Sequence, residues 1–302
     1  MFSSLSPDHS RARSASRSGV AGVVAAATLL LVAGCGAPSD PSPPGAPNAA
    51  DDDTALGHVH GLGVDPGDGT LYVASHLGVF RATEGGTPER IADRWQDTMG
   101  FAVVGPGHFL GSGHPDLREE LPSSLGLIES TDGAQSWEAV SLLGDADLHA
   151  IEPVGDRIYA YDSHTGSLIT TTNRTDWDTL ATFPIYDLAA NPDDPATVYA
   201  TTDQGALVAS TVGEEPVGVD NAPTLTGIDW QPGGPLVGVA PDGAVMVTDD
   251  PDAGGWRKVG SLDGPAEAID VIAGRWHVAT GTGVYESTDD GATWQSVILH
   301  DD

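Results

Sequence analysis

The side chains best equipped for chemistry in this sequence are imidazoles in the first half of its folded region. Imidazole and thioether ligands together favour copper among the common metals, and imidazoles alone also suit zinc. Two carboxylates, Asp97 and Asp147, are placed to accept the second ring N–H of a neighbouring histidine and so fix its tautomer. The candidate metal ligands are His58, His60, His76, Met99, His114, His149 and His164.

A repeat of about forty residues must position these ligands. Each copy has a strand, a short turn containing a glycine, and a second strand. The turn glycines are separated by 48, 40, 39, 38 and 40 residues, at Gly78, Gly126, Gly166, Gly205, Gly243 and Gly283. Short strands at this period predict a β-propeller. The sequence therefore predicts an all-β fold: a six-bladed propeller with four antiparallel strands in each blade.

Alignment of the blades predicts which residues share a face. The start of the first strand and the loop between the second and third strands lie on the same face of a blade. The six histidines fall at these positions, all in the first three blades. At the start of the first strand, the aligned residues of the six blades are His60, Met99, His149, Asp187, Thr226 and Glu267. We therefore expect a copper site at the channel mouth, with zinc as the alternative and no organic cofactor.

Two other functions remain open. Asp187 and Glu267 share the same predicted ring position, and a glycoside hydrolase needs two carboxylates at a suitable separation. The alternative function is therefore a glycoside hydrolase, or a glycan-binding protein, that uses these two residues. A plain protein-interaction scaffold, without a small ligand, is the third possibility. The sequence contains no P-loop, dinucleotide fingerprint, nucleophile elbow or HExxH motif. It does not assign an enzymatic activity, and glycoside hydrolysis is the reaction we would expect if there is one.

The turn between the third and fourth strands carries a second motif. Blade six reads STDDGATW from Ser287 to Trp294, and blade two reads STDGAQSW from Ser130 to Trp137. Short Ser and Asp side chains bond turn N–H groups, glycine accepts a positive φ, and tryptophan packs back on the sheet. We predict structural roles for Ser130, Asp132, Trp137, Ser287, Asp289, Gly291 and Trp294.

The pattern S-x-D-x-G-x-T-W resembles the Asp-box (BNR) repeat of propellers that include sialidases and sialidase-like glycosyl hydrolases. The chain also resembles secreted bacterial lipoproteins described as glycosyl-hydrolase-like. Sialidases grip a carboxylate with three arginines, but no arginine of this chain stands at an aligned first-strand start. Residues 57–63 read GHVHGLG where those enzymes carry an Arg-Ile-Pro type motif. Sialic acid cleavage is therefore not expected, and the resemblance implies a sialidase-like fold for the alternative glycoside hydrolase or glycan-binding protein that uses Asp187 and Glu267.

The N-terminal segment is predicted to be a targeting sequence and a tether. Three arginines precede the apolar residues 19–32, which is typical of a signal peptide. The small residues before Cys35 resemble a bacterial lipobox, which implies cleavage before Cys35 and a lipid on it. We predict a signal peptide over 1–34, a lipidated Cys35 with a Pro/Asp-rich disordered tether over 35–56, and the propeller over 57–302. The expected location is extracytoplasmic, anchored to the cell membrane.

The net charge and the cysteine content limit which partners the protein is expected to bind. The chain has 12 basic and 44 acidic residues and a net charge of −32. Such an acidic protein is not expected to bind nucleic acid or anionic lipid head groups. Cys35 is the single cysteine, so an intrachain disulfide is impossible. We expect a monomer that reaches the membrane through its lipid and binds a small ligand or metal on the histidine-rich face.

Overall fold

The computed structural model describes residues 56–83 and 86–299. Every regular element in these ranges is a β-strand, and the strands form six four-stranded antiparallel sheets. The prediction of a six-bladed β-propeller is confirmed. No helix in the described ranges is long and apolar enough to cross a membrane. The predicted signal peptide, Cys35 and most of the tether lie outside the described residues.

Each blade is built from four consecutive strands. Blade 1 contains β1 (Val59–Val64), β2 (Leu71–Ser75), β3 (Gly78–Arg81) and β4 (Glu89–Arg90); blade 2 contains β5 (Asp97–Gly105), β6 (His108–His114), β7 (Leu127–Ser130) and β8 (Glu138–Ser141). Blade 3 contains β9 (Leu148–Val154), β10 (Arg157–Asp162), β11 (Ser167–Thr171) and β12 (Asp178–Thr182); blade 4 contains β13 (Ile185–Ala190), β14 (Thr197–Thr202), β15 (Leu207–Thr211) and β16 (Val217–Gly218). Blade 5 contains β17 (Gly227–Trp230), β18 (Leu236–Val239), β19 (Ala244–Thr248) and β20 (Arg257–Ser261); blade 6 contains β21 (Ala268–Ile272), β22 (Arg275–Thr280), β23 (Gly283–Ser287) and β24 (Gln295–Leu299).

The core lies between the blades. The second strand of blade 1 is buried along its whole length because neighbouring blades cover both of its faces. Apolar clusters join consecutive blades; Leu110 and Leu127 of blade 2, for example, pack with Leu148 and Ile158 of blade 3. Each fully buried side chain of this size contributes about 1.5–3 kcal/mol. This packing holds the first strands of all blades around a central channel.

Packing between blades 1 and 6 closes the ring, because each of the six sheets lies within a single blade. Strand β1 contacts β21, and Val59 and Phe80 of blade 1 pack with Val284 and Ile298 of blade 6. Two polar contacts add to this packing. The N–H of Val59 donates to Glu267 Oε2 at 3.1 Å, and Arg275 Nη1 donates to the Gly69 carbonyl at 3.1 Å.

A side-chain oxygen bridges each junction between blades in the described part of the chain. The first strands have no sheet partner on their channel side, so their free N–H groups need another acceptor. In each case the acceptor comes from the preceding blade. Five of the six donors belong to first strands, and the sixth, Gly107, lies in the turn between β5 and β6. The acceptors and their N–H donors are Asp65 and Gly107, Ser112 and Leu148, Glu152 and Ala190, Asp187 and Ile228, Asp229 and Val271, and Glu267 and Val59.

The turns between the third and fourth strands form the local bonds that their sequence predicts. Ser287 Oγ accepts the N–H of Gly291 at 2.9 Å, and Asp289 Oδ1 accepts the N–H of Thr293 at 2.8 Å. In blade 2, Ser130 and Asp132 make the corresponding bonds to Ala134 and Ser136. The fifth turn residue has a positive φ in both blades, +81° at Gly291 and +65° at Ala134. These turns lie on the face opposite the histidine-rich loops.

Candidate metal centre

Three of the predicted ligands, His58, His60 and His76, converge on blade 1. One nitrogen from each ring lies within 4.8 Å of the other two. His60 Nε2 lies 3.2 Å from His76 Nδ1, and the centroids of these rings are 4.3 Å apart. The His58 ring lies 4.8 Å from His60 and 5.7 Å from His76, centroid to centroid. We call these three residues the histidine triad.

Local backbone features hold the triad in place. A β-bulge in β1 leaves His60 unpaired between Val59 and Gly61. At Gly61, a Cβ would lie 2.8 Å from the Phe101 Cβ, so only glycine lets β1 approach blade 2 this closely. In the turn between β2 and β3, Ser75 Oγ accepts the N–H of Leu77 at 3.1 Å. The N–H of His76 donates to the His58 carbonyl at 3.2 Å, which joins the two loops.

Carboxylates from two other blades flank the triad. Asp97 Oδ1 of blade 2 lies 3.0 Å from His76 Nδ1 and 4.0 Å from His60 Nε2. Glu267 Oε1 of blade 6 lies 3.8 Å from His58 Nε2. A carboxylate only accepts hydrogen bonds, so the bond between His76 and Asp97 leaves the lone pair of His76 on Nε2. The nitrogen of His76 that lies 3.2 Å from His60 Nε2 is therefore the protonated Nδ1. A metal at the triad would have to displace that proton, or the His76 ring would have to turn so that Nε2 faces the site.

Burial makes His60 an unusual imidazole. Burial and the nearby His76, His58 and His149 together lower the pKa of His60 from 6.5 to about 3, while Asp147 opposes them. The His60 side chain is 11% exposed, whereas those of His58 and His76 are both 47% exposed. His60 therefore keeps a free lone pair at neutral pH, and an ion reaches it past the two open rings.

The other predicted ligands do not join the triad. His149 Nε2 donates to Asp147 Oδ2 at 2.8 Å, and His114 Nε2 lies 3.9 Å from the same oxygen. His164 Nε2 lies 3.4 Å from Ser124 Oγ. Met99 occupies the bulge of β5, the ring position that follows His60. The six histidines therefore form two groups, one in blade 1 and one at the junction of blades 2 and 3. The bulges of different blades place their residues at different positions around the ring.

Asp147 is the buried anion of the second group. Burial acts to raise its pKa, but the hydrogen bond and charge of His149, the bond from Ser163 and the charge of His114 together lower it below 3.8. Ser163 Oγ donates to Asp147 Oδ2 at 2.9 Å. Among the described residues, Asp147 Oδ1 is buried and has no hydrogen-bond partner. The carboxylate is therefore held ionised with one oxygen unsatisfied.

The structure corrects the predicted ring position of Asp187. A bulge in β13 leaves Tyr186 unpaired, so Tyr186 is the residue equivalent to His60 and His149. Asp187 takes the place of Gly61, and its two oxygens accept the N–H groups of Leu188 and Ile228 at 2.9 Å each. The blade alignment relied on a small residue after the ring position, which blade 4 lacks. The oxygens of Asp187 thus serve a junction between blades, and Glu267 lies beside His58.

A channel with a cavity volume of about 500 Å³ runs along the first strands of the blades. His60, His149, Tyr186 and Glu267 line it near the strand starts. Partly buried carboxyl groups line it further along: Glu152, Asp187, Asp229 and Asp270. Burial raises the pKa of Asp187 to about 7 and, with the charge of Asp270, that of Asp229 to about 8. Burial and the charge of Asp229 also raise the pKa of Glu152. The channel is therefore acidic in character and suited to cations or neutral groups.

Comparison with known proteins shows the fold only. No protein-family model and no curated protein matches the sequence. A chain of the nidogen/laminin complex is 12% identical over 75% of this chain and 92% of that chain, with a TM-score of 0.59. A gluconolactonase from Xanthomonas campestris is 16% identical over 74% and 83%, with a TM-score of 0.59. Virginiamycin B lyase from Staphylococcus aureus is 12% identical over 83% and 87%, with a TM-score of 0.56. This chain shares the propeller architecture with all three.

Proposed function

We propose that this protein binds a transition-metal ion at the histidine triad, with copper as the first candidate and zinc as the alternative. The observation that supports this is the convergence of three imidazole nitrogens within 4.8 Å, beside Asp97. Zinc bound by histidines has ligand distances of about 2.0–2.1 Å. Donor atoms around one ion at this distance are about 3–4 Å apart, so small movements of the His58 and His60 rings, with a turn of the His76 ring or loss of its Nδ1 proton, would complete the site.

Copper is preferred for two chemical reasons. Sites of nitrogen and oxygen ligands bind Cu²⁺ more tightly than Zn²⁺ at equal geometry. The ring position next to His60 carries Met99, whose thioether is a ligand type that Cu⁺ accepts and Zn²⁺ rarely uses. With three imidazoles, a carboxylate and a neighbouring thioether, both oxidation states of copper would find ligands at this mouth.

We also propose where this protein binds the metal. The lipobox-like sequence before Cys35 supports a lipid-anchored protein outside the cytoplasm. The hydrogen-bonded turns around Asp132 and Asp289 support a relationship to the Asp-box propellers. A metal site on a tethered domain of net negative charge would serve copper sequestration, sensing or delivery at the cell surface.

The test is copper binding by the full chain and by a double variant. We expect wild-type protein to bind Cu²⁺ tightly in competition with a chelator, and His60→Ala with His76→Ala to lower the affinity at least about 100-fold, because two of three imidazoles are lost. Isothermal titration calorimetry at pH 7.5 measures this. The control is His108→Ala. His108 lies at the start of β6, and its Nε2 lies 2.6 Å from Glu129 Oε1. Unchanged affinity in the double variant would refute the triad as the site.

A further inference from the structure

A second group of ligands lies at the junction of blades 2 and 3. We propose that Asp147, His114 and His149 form a second metal site, of mixed carboxylate and imidazole ligands, that takes a divalent ion of the Zn²⁺ class. It shares no ligand with the histidine triad and does not depend on the triad binding copper. Both imidazoles approach the same carboxylate oxygen, His149 Nε2 at 2.8 Å and His114 Nε2 at 3.9 Å from Asp147 Oδ2.

The tautomer of His114 is the first argument. Its Nδ1 lies 2.7 Å from the Ser123 carbonyl, which can only accept, so Nδ1 carries the proton. In the neutral ring the lone pair is then on Nε2, which faces the carboxylate of Asp147. Two electron-pair donors thus face each other across 3.9 Å with no proton between them. Metal-binding histidines are commonly oriented by such a bond from the other ring nitrogen to a backbone carbonyl.

The burial of Asp147 is the second argument. Its side chain is 6% exposed, and its Oδ1 is buried without a hydrogen-bond partner among the described residues. A buried carboxylate that is only partly satisfied is costly unless a positive charge accompanies it. The backbone holds the residue in place, since the N–H of Asp147 donates to Asp162 Oδ1 at 3.2 Å and its carbonyl accepts the N–H of Ser163 at 2.9 Å.

The third argument concerns the size of the gap. Ligand atoms about 2.0–2.1 Å from a tetrahedral ion are roughly 3.4 Å apart. Rotation of the half-exposed His114 ring would bring its Nε2 from 3.9 Å to about that distance from Asp147 Oδ2. His149 would bind through Nε2 after its proton moves to Nδ1, so a neutral ring changes tautomer and no net proton is released. An oxygen and two nitrogens suit Zn²⁺, which is bound by carboxylate and imidazole together.

The two sites are electrostatic neighbours. His60 of the triad and His149 of the second site line the same channel, so positive ions bound at both would repel each other. A divalent ion in one site should therefore weaken binding at the other, so that two Zn²⁺ ions bind in two steps of unequal affinity.

Zn²⁺ titration of the full chain tests this proposal, with equilibrium dialysis and elemental analysis at pH 7.5. We expect two ions per wild-type chain, and one after His114→Ala with His149→Ala. His58→Ala, His60→Ala and His76→Ala together should also leave one ion, held by the second site. The matched control is His164→Ala. His164 lies at the same junction, with its Nε2 3.4 Å from Ser124 Oγ, but it is a ligand of neither proposed site, so this variant should still bind two ions.

The outcomes separate the two sites. If His114→Ala with His149→Ala changes neither the stoichiometry nor the affinity of either step more than twofold, the second site is wrong. If instead the triple variant still binds two ions, the histidine triad is not a zinc site. That result does not contradict the second site. Circular dichroism in EDTA checks folding. Should the double variant not fold, His114→Ala alone must lower the affinity of one step at least about tenfold, and unchanged binding overturns the proposal.

Discussion

At the scale of single residues, the candidate site depends on one imidazole that burial keeps neutral. His60 is nearly enclosed, while His58 and His76 remain open to solvent. The buried ring therefore offers its lone pair without competition from protons, and the two open rings can move to complete the coordination. Asp97 from the next blade orients His76, so the site needs the junction of blades 1 and 2 as well as blade 1 itself.

The neutral state of His60 predicts a pH dependence of stability. Its folded pKa is about 3, below the unfolded 6.5, so between these values the unfolded chain binds the extra proton. This contribution to stability is complete above pH 6.5 and is lost as the pH falls, by up to about 2 kcal/mol at pH 5. Urea unfolding in EDTA at pH 7.5 and pH 5 should show a smaller loss in His60→Gln than in wild type. An equal loss in both proteins would contradict the depressed pKa.

At the scale of elements, bulges and turns decide where side chains go. The bulges in β1, β5, β9 and β13 each push one residue out of the strand pairing at the channel mouth: His60, Met99, His149 and Tyr186. In blades 2 and 6, hydrogen-bonded turns instead connect the third strand to the fourth, outermost strand. Ligands and turn motifs thus occupy opposite faces, so changes in the turns should affect stability without changing metal binding.

The turn of blade 6 gives a direct test of that separation. Asp289 accepts bonds from Ser287 Oγ and from both the N–H and the hydroxyl of Thr293. Asp289→Ala should lower the unfolding free energy by a small but measurable amount, because the exposed N–H and hydroxyl of Thr293 exchange their shared acceptor for water. Denaturant unfolding measures this, and calorimetry should find unchanged copper affinity. Asp290→Asn is the control, since asparagine tolerates the positive φ of +56° at this position. If Asp289→Ala is as stable as Asp290→Asn, the turn bonds are dispensable.

At the scale of the whole molecule, the ring concentrates carboxyl groups around its axis. Side-chain oxygens of Glu152, Asp187, Asp229 and Glu267 each bridge one blade to the next. Because carboxyl groups accept the free N–H groups of the first strands, these groups are also concentrated along a channel of about 500 Å³. Burial and mutual repulsion favour the protonated acids there.

These channel acids predict that the metal-free ring is less stable in alkaline solution. The folded pKa values of Asp187 and Asp229 are raised from 3.8 to about 7 and about 8. Their stabilising contribution is complete below the unfolded value and is lost as the pH rises through the folded values. Unfolding free energy in EDTA should fall by about 2 kcal/mol from pH 6.5 to pH 8.5, and the fall should persist in 1 M NaCl, because buried groups are poorly screened.

Asp270→Asn checks the cause of this dependence. The charge of Asp270 raises the pKa of Asp229, so its removal should reduce the loss of stability above pH 6.5. Asp145, an exposed aspartate outside the channel, provides the matched control in Asp145→Asn. Stability that is flat or increasing between pH 6.5 and 8.5 in wild-type protein would argue against protonated acids in the channel.

The sequence by itself determined the propeller. A glycine turn repeated at intervals of 38–48 residues identifies the blades, because strand pairing and turn conformation are local and recur with the motif. It also placed His58, His60 and His76 on one face, since their positions relative to the strands are local too. His76 and Asp97 were both recognisable as candidates, but their 3.0 Å contact joins two blades and could not be measured along the chain.

Tertiary structure alone decided which candidates meet. Alignment by residue type gave Asp187 the ring position of Tyr186, because the bulge in β13 is visible only in the pairing of β13 with β14. It also treated His114 and His149 as part of one site with the triad, whereas the ring places them around Asp147. A repeat specifies the blade, but the distance between side chains of different blades depends on how the blades pack around the axis. That packing is a property of the closed ring.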